Sequence, residues 1–357
     1  MLLSLSLPIN ACTFVSRQSS FAGTPAHGIE RPSRIILPAE QYVVVSQLCC
    51  EDDNRYMSSV VVLGANGFLG SHLVDALVQG GHSVTAIDRF SGQRRFRETP
   101  KFVVQASFAD VAGIQQVFSP GSRLIYAGGT LTPKSSIGSG RGGAEELRVW
   151  SSILQLFGQA MGERIYFCSS GGAIYGESPG AGSREVDPPQ PLSVYGEVKK
   201  KSEELLHHFA EKFGFTPTVW RFGNLYGPRQ TFKSGQGIIA RVLECAQSGR
   251  PIEILGDGSM RRDYTFVEDA TAACIAQLDS PGKHSTYNIG SGMSHSVHDV
   301  VREVENALNV KIDFFFAPQP PEFVSSSILD TSRLMGEYPS LYFRSLRDGL
   351  GELTTSH

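Results

Sequence analysis

Val60-Val61-Val62-Leu63-Gly64-Ala65-Asn66-Gly67-Phe68-Leu69-Gly70-Ser71-His72-Leu73 is the stretch whose reading decides the fold. Its β-branched opening reads as a parallel strand buried on both faces. Gly64 permits a tight turn, Gly67 lets a pyrophosphate approach the backbone, and Gly70 lets the next helix pack against the sheet. That helix, expected over Phe68 to Val78, offers its amino-terminal amides to phosphate. The next strand, Ser83 to Ile87, ends at Asp88, eighteen residues beyond Gly70. An acid there suits a hydrogen bond to an adenosine ribose and repels a 2′-phosphate. This is a dinucleotide site that favours NAD over NADP. Arg89, Arg94, Arg95 and Arg97 keep NADP as the alternative, although a solvated basic loop is the simpler reading of them.

Strands and helices alternate outward from this unit, which argues for a doubly wound parallel sheet. Further strands are expected at Phe102–Val104, Arg123–Tyr126, Arg164–Cys168 and Thr218–Arg221, with helices near 110–118, 145–161 and 195–213. Beyond residue 222 the pattern loses its regularity, with short elements such as Ile252-Glu253-Ile254 between glycines and prolines. The fold class is therefore α/β, a Rossmann-type doubly wound parallel sheet with a smaller carboxy-terminal substrate-binding lobe. Residues 57–222 form mainly the dinucleotide domain, and 223–357 mainly the lobe, with some return to the sheet. Residues 1–56 read differently. Before Glu30 the sole charged residue is Arg17, and Pro8, Pro25, Pro32 and Pro38 interrupt any periodicity. The expectation is a disordered or spurious extension, with Met57 as the natural start.

Tyr195-Gly196-Glu197-Val198-Lys199 carries the chemistry. Residues four apart on a helix are neighbours. A free phenol titrates near ~10 and is a poor base at neutral pH, but a fixed cation one turn away favours its charged form.

The 357 residues are 41% hydrophobic and 19% charged, with net charge −3. That balance gives no footing for a nucleic-acid surface. No apolar run approaches the roughly 18 residues of a membrane span. The six cysteines, at 12, 49, 50, 168, 245 and 274, show no metal or disulfide spacing, so a reducing, cytoplasmic setting is expected and no metal.

Five segments in order resemble one family. They are Gly64-x-x-Gly67-x-x-Gly70, Ser169-Ser170-Gly171-Gly172-Ala173-Ile174-Tyr175-Gly176, Tyr195-x-x-x-Lys199, Arg221-Phe222-Gly223-Asn224-Leu225-Tyr226-Gly227-Pro228 and Gly256-Asp257-Gly258-Ser259-Met260-Arg261-Arg262-Asp263-Tyr264. Residues 58–350 resemble the extended short-chain dehydrogenase/reductases, and within them the NAD-dependent nucleotide-sugar epimerases. The resemblance implies that Tyr195 is the general acid/base, that Lys199 holds the nicotinamide ribose, and that Ser170 touches the reacting hydroxyl. It implies cofactor contacts at Gly64, Asn66, Gly67, Phe68, Leu69, Gly70, Asp88, Arg89, Ser107, Phe108, Ala127 and Gly128, besides Tyr195 and Lys199. Asn224, Gln236 and Arg262 would join Ser170 and Tyr195 on the substrate, Arg262 because a planar guanidinium suits phosphate oxygens. The simpler readings are a turn residue for Asn224 and a surface cation for Arg262. A homodimer through the long helices is also implied.

The chain departs from the family at four places. Gly171 stands where a Ser or Thr is usual, Ser107 where an Asp meets adenine, and Val149 where an Asn is usual. The Arg-x-x-Asp before Leu329-Asp330 is missing, with Pro320, Pro321 and Phe323 there instead. The implied reaction is C4 epimerisation of a UDP-sugar through a transient 4-keto intermediate. The alternatives are an NAD(P)-dependent reductase or dehydratase of a nucleotide-linked sugar, and a non-catalytic nucleotide-binding relative. Gly172 and Ala173, where dehydratases place acids, argue against elimination.

Overall fold

In a computed structural model, the described residues are 33–37, 41–45, 59–129, 131–132, 141–230, 237–319 and 323–355. They begin with a hairpin of β1 (Ser33–Leu37) and β2 (Gln41–Val45), followed by β3 (Ser59–Leu63), α1 (Phe68–Gln79), β4 (Ser83–Asp88) and β5 (Phe102–Gln105). Next come α2 (Val111–Gln115), β6 (Arg123–Tyr126), α3 (Arg141–Gln159), β7 (Arg164–Ser170) and the single turn α4 (Gly171–Ile174). Then α5 (Val194–Phe213), β8 (Thr216–Phe222), β9 (Asn224–Tyr226), α6 (Ile238–Ser248), β10 (Ile252–Leu255) and β11 (Arg261–Phe266) follow. The chain closes with α7 (Val267–Asp279), β12 (Thr286–Ile289), β13 (Ser294–Ser296), α8 (Val297–Leu308), β14 (Phe314–Ala317), β15 (Ser326–Ser327), α9 (Ser332–Glu337) and α10 (Leu346–Thr355).

The main sheet has nine strands in the order β1-β2-β5-β4-β3-β6-β7-β8-β12. From β5 to β12 all neighbours are parallel. The β1–β2 hairpin lies antiparallel along β5. Thus part of the extension supplies two strands, while its other residues lie outside the described set.

Alternation along each strand builds a core on both faces of the sheet. Val60, Val62 and Cys168 meet α1 and α7 through Leu73, Leu77, Cys274 and Leu278. Val61, Leu63 and Phe167 meet α3 and α5 through Trp150, Ile153, Phe157, Leu206 and Phe209. Sequence also marks the helix ends. The Ser193 hydroxyl accepts from Gly196 N to cap α5, and Gly214 ends that helix at φ 82°. Ser296 and Asp299 form a capping box on α8.

The smaller lobe has its own core, where Ile239, Val242, Ile254, Tyr264, Val300 and Val304 join α6, α8, β10 and β11. Strand β11 is its hub. It pairs in parallel with β9 and β15 and antiparallel with β13. Because β9 follows β8 after one residue, β11 is tied to the carboxyl end of the main sheet, the edge where ligands bind in open α/β folds.

Candidate active site

The dinucleotide loop closes on itself by close backbone approach. Gly64 has φ +87°, and a Cβ there would lie 2.6 Å from Gly128 N. A Cβ on Gly70 would collide with the Gly64 carbonyl oxygen, so α1 starts where only glycine fits. Gly67 is the extended residue before α1 and leaves its first amides without a side-chain cap, as an anion-binding helix end requires. Phe68 and Leu69 form its first, half-buried turn.

Asp88 ends β4 with both carboxylate oxygens accepting backbone amides, Oδ2 from Asn66 at 2.9 Å and Oδ1 from Arg89 at 2.7 Å. The Asn66 side chain in turn accepts from Arg95 N and donates to Gln93 O. Asp88 is thereby fixed beside the glycine loop, with lone pairs left for ribose hydroxyls. Arg89, Arg94, Arg95 and Arg97 are exposed. Phe108 lies against Gly128, leaving no room for a Cβ there, and Ala127 donates to Leu63 O. Ser107 is exposed and accepts from Ala109 N at 3.3 Å. The residues present fit a dinucleotide. Val149, in place of an asparagine, is a core residue.

Tyr195 and Lys199 share one face of α5, with the Lys199 Nζ 5.7 Å from the Tyr195 ring centroid. Lys199 is only 5% exposed and donates to Cys168 O at 3.1 Å. Its ammonium also lies 4.9 Å from the Phe167 ring centroid, a further attraction for a buried cation. Burial pushes the Cys168 thiol up to about 12, against the pull of Lys199, so this cysteine is inert. Gly196 lets α5 press onto the Ala173 carbonyl, a contact that any Cβ would block. The helix that carries the phenol is thus seated directly on the turn after β7.

Ser170 ends β7 and precedes α4, yet its hydroxyl makes no capping bond. Gly172 marks a convergence point. A Cβ there would lie 2.8 Å from Asn224 Oδ1, 3.8 Å from Ser327 Oγ and 3.9 Å from Ser170 Oγ. Three polar groups from β7, β9 and β15 therefore face one small space. Gly171 is different: a Cβ there would lie 2.7 Å from Leu329 Cδ2 and 3.2 Å from Arg221 O. A serine at 171 would have to displace the Leu329 side chain and would crowd the Arg221 carbonyl.

Arg262 lies opposite Ser327 across the β11–β15 pair. It forms no ion pair among the described residues and donates to the Arg261 and Val324 carbonyls at 2.8 Å each. Burial pulls its pKa down, Tyr264 and Glu177 opposing, so the site holds an under-compensated cation suited to an anionic ligand. Asp263 turns away from it, accepting from Ser291, Gly292 and Thr265.

Gln236 lies outside the described residues. Three contributors escape a reading of the sequence. Ser327 is 155 residues from Gly172 and sits in no motif. Glu177 holds β15 in place by accepting from Ser325 N at 2.8 Å and Ser326 N at 2.7 Å. The Glu after Tyr175-Gly176 was the one available hint. Glu146, 5% exposed, likewise accepts from Leu131 N at 2.8 Å beside the loop after β6.

This geometry has close counterparts. The chain is 30% identical over 282 residues to a UDP-glucose 4-epimerase of Mycolicibacterium smegmatis, covering 76% of this chain and 88% of that one. The Thermus thermophilus UDP-glucose 4-epimerase in complex with NAD superposes with a TM-score of 0.76 at 27% identity, covering 83% and 98%. The Thermotoga maritima UDP-glucose 4-epimerase with UDP-glucose gives 0.76 at 28%, covering 83% and 97%. The sequence profile of the NAD dependent epimerase/dehydratase family matches residues 60–290, and the chain belongs to that family.

Proposed function

We propose that this protein is an NAD-dependent nucleotide-sugar epimerase, acting at C4 of a UDP-sugar through a transient 4-keto intermediate. The observation that carries the reading is the cluster of Ser170, Asn224 and Ser327 around Gly172, beside the seat of Tyr195 and Lys199. It offers hydroxyls and an amide to a sugar. Neither Gly172 nor Ala173 can serve as the second acid or base that elimination needs. The Glu177 carboxylate is directed to β15, accepting from the Ser325 and Ser326 amides.

Tyr195 takes the proton of the sugar 4-hydroxyl and later returns it. Lys199 stabilises the phenolate between these events, held in place by Cys168 O. Ser170 hydrogen-bonds the same sugar oxygen, Asn224 and Ser327 orient the ring, and Arg262 pairs with the diphosphate. Gly64, Asn66, Gly67, Gly70, Asp88 and Gly128 would hold NAD, which when bound accepts a hydride from C4 and gives it back. Residues 57–222 serve the cofactor and 223–357 the sugar nucleotide. A homodimer in a reducing, cytoplasmic setting completes the proposal, supported on the second point by the free thiols of Cys168, Cys245 and Cys274.

The test is to incubate the full chain with UDP-glucose or UDP-galactose and catalytic NAD, following the epimer by NMR. Turnover without net NADH is expected. Stoichiometric NADH consumption with a keto-sugar would favour the reductase reading. No conversion of any nucleotide-sugar would leave a non-catalytic relative. Tyr195→Phe should lower kcat by about 10²–10⁴-fold, the usual worth of a general acid/base, while bound NAD is retained.

A further inference from the structure

Beneath the candidate site lies a buried polar network that the mechanism above does not use. Glu203 and Arg221 are 8% and 7% exposed and pair at 2.6 Å. Glu203 sits one turn after Lys199 on the buried face of α5. Its Oε1 also accepts from Ser169 Oγ at 2.6 Å. Ser169 and Arg221 face each other across β7 and β8, so the carboxylate docks between two adjacent strands.

The network reaches outward from there. Arg221 Nη1 donates to the Tyr175 hydroxyl at 2.8 Å, and that hydroxyl donates to Asn288 Oδ1 at 2.8 Å. Asn288 Nδ2 then donates to Ser183 O and Asp330 O, at 2.8 and 3.0 Å. The connected segments are those that carry the site. Helix α5 bears Tyr195 and Lys199, and Ser169 precedes Ser170. Arg221 lies three residues before Asn224, and Asp330 three residues after Ser327. Lys199 grips residue 168 while Glu203 grips residue 169.

A buried ion pair is a weak source of net stability, because desolvation offsets its attraction. Fixing geometry is the role that its connections suit. We propose that Glu203 and Arg221 are positioning residues, which hold the Tyr195–Lys199 helix in register with Ser170, Asn224 and Ser327. This inference rests on the epimerase reading. An epimerase must return its hydride before the keto-sugar escapes, so a loosened register should uncouple the reaction. The released product would be the keto-sugar, with its C4 hydride left on the cofactor as NADH and its hydroxyl proton passed through Tyr195 to solvent.

The experiment compares the full chain with Ser169→Ala, Glu203→Gln and, as a stability control, Leu278→Ala. Leu278, near the end of α7, has its carbonyl at the amino end of the sheet, away from the candidate site, where it accepts from Arg123 at the start of β6. Rates are normalised to bound dinucleotide. The expected result is a kcat fall of about 10-fold for Ser169→Ala and up to about 10²-fold for Glu203→Gln, as misplacements of about an ångström cause. The nucleotide-sugar KM should change less than threefold, and NADH absorbance at 340 nm should build up with keto-sugar release. Leu278→Ala should lose thermal stability with kcat and coupling intact. If kcat and coupling are normal in folded Ser169→Ala and Glu203→Gln, the positioning role is overturned. It is overturned too if Leu278→Ala uncouples to the same degree. Where the unmodified chain turns over no nucleotide-sugar, the epimerase reading itself falls, and this inference with it.

Discussion

Position 171 shows what one glycine decides. The family pattern leads one to look there for a hydroxyl, but a Cβ at that point would press on the Leu329 side chain and the Arg221 carbonyl. Gly171→Ser is therefore expected to overpack the turn, at about 1–3 kcal/mol, and to gain no activity. Calorimetry with steady-state kinetics checks this; an unchanged melting temperature with a higher kcat would defeat the account. The hydroxyls available are Ser170, which leaves α4 uncapped, and Ser327, which arrives from another strand. Ser170 was legible because it stands inside a motif. Ser327 was not, because its role depends on β15 pairing with β11, and nothing in the sequence near residue 327 reports that pairing.

At the level of elements, periodicity made strands β3 to β8 of the main sheet readable, while β1, β2, β12 and the anchoring of the short partner strands were not. The buried runs at β3, β6 and β7 and the apolar faces of α1, α3 and α5 each occupy near the span their residues suggest. Strand β15 has two residues and no hydrophobic pattern, so it exists through its partners. One of those is Glu177, which accepts the amides of Ser325 and Ser326. Hydrogen bonds to a charged acceptor contribute roughly 1.5–3 kcal/mol each when desolvated, and less at this exposed residue. Removing them should loosen β15 and let Ser327 drift from Asn224 and Ser170. Glu177→Ala is expected to raise the nucleotide-sugar KM by about tenfold, with bound NAD unaltered. An unchanged KM would show that β11 alone holds the strand.

Across the whole molecule, the dinucleotide domain and the smaller lobe are joined where α1 meets the segment after β9. Asp75 pairs with Arg229 at 2.6 Å and also accepts from Arg97 N and Glu98 N at 2.8 Å each. One turn earlier, His72 Nε2 lies 2.9 Å from Pro228 O. A carbonyl can only accept, so the neutral ring carries its proton on Nε2. Burial lowers the His72 pKa from 6.5 to about 4, with Arg229 and Arg97 acting in the same sense and Pro228 O and Asp75 against it. The sign for stability follows. Between pH 6.5 and 4 the unfolded chain binds a proton at His72 and the folded chain does not, so acid favours unfolding across that window. Above it neither state is protonated, and below it both are. By linkage this one residue withdraws about 2 kcal/mol between pH 7 and pH 5. His72→Gln keeps a donor for Pro228 O and removes the titration. Urea unfolding of both proteins at pH 7 and pH 5 should therefore show the native chain losing about 2 kcal/mol more than the variant. Equal losses would mean that His72 is already charged in the folded state, and that the junction between domain and lobe is not what acid attacks.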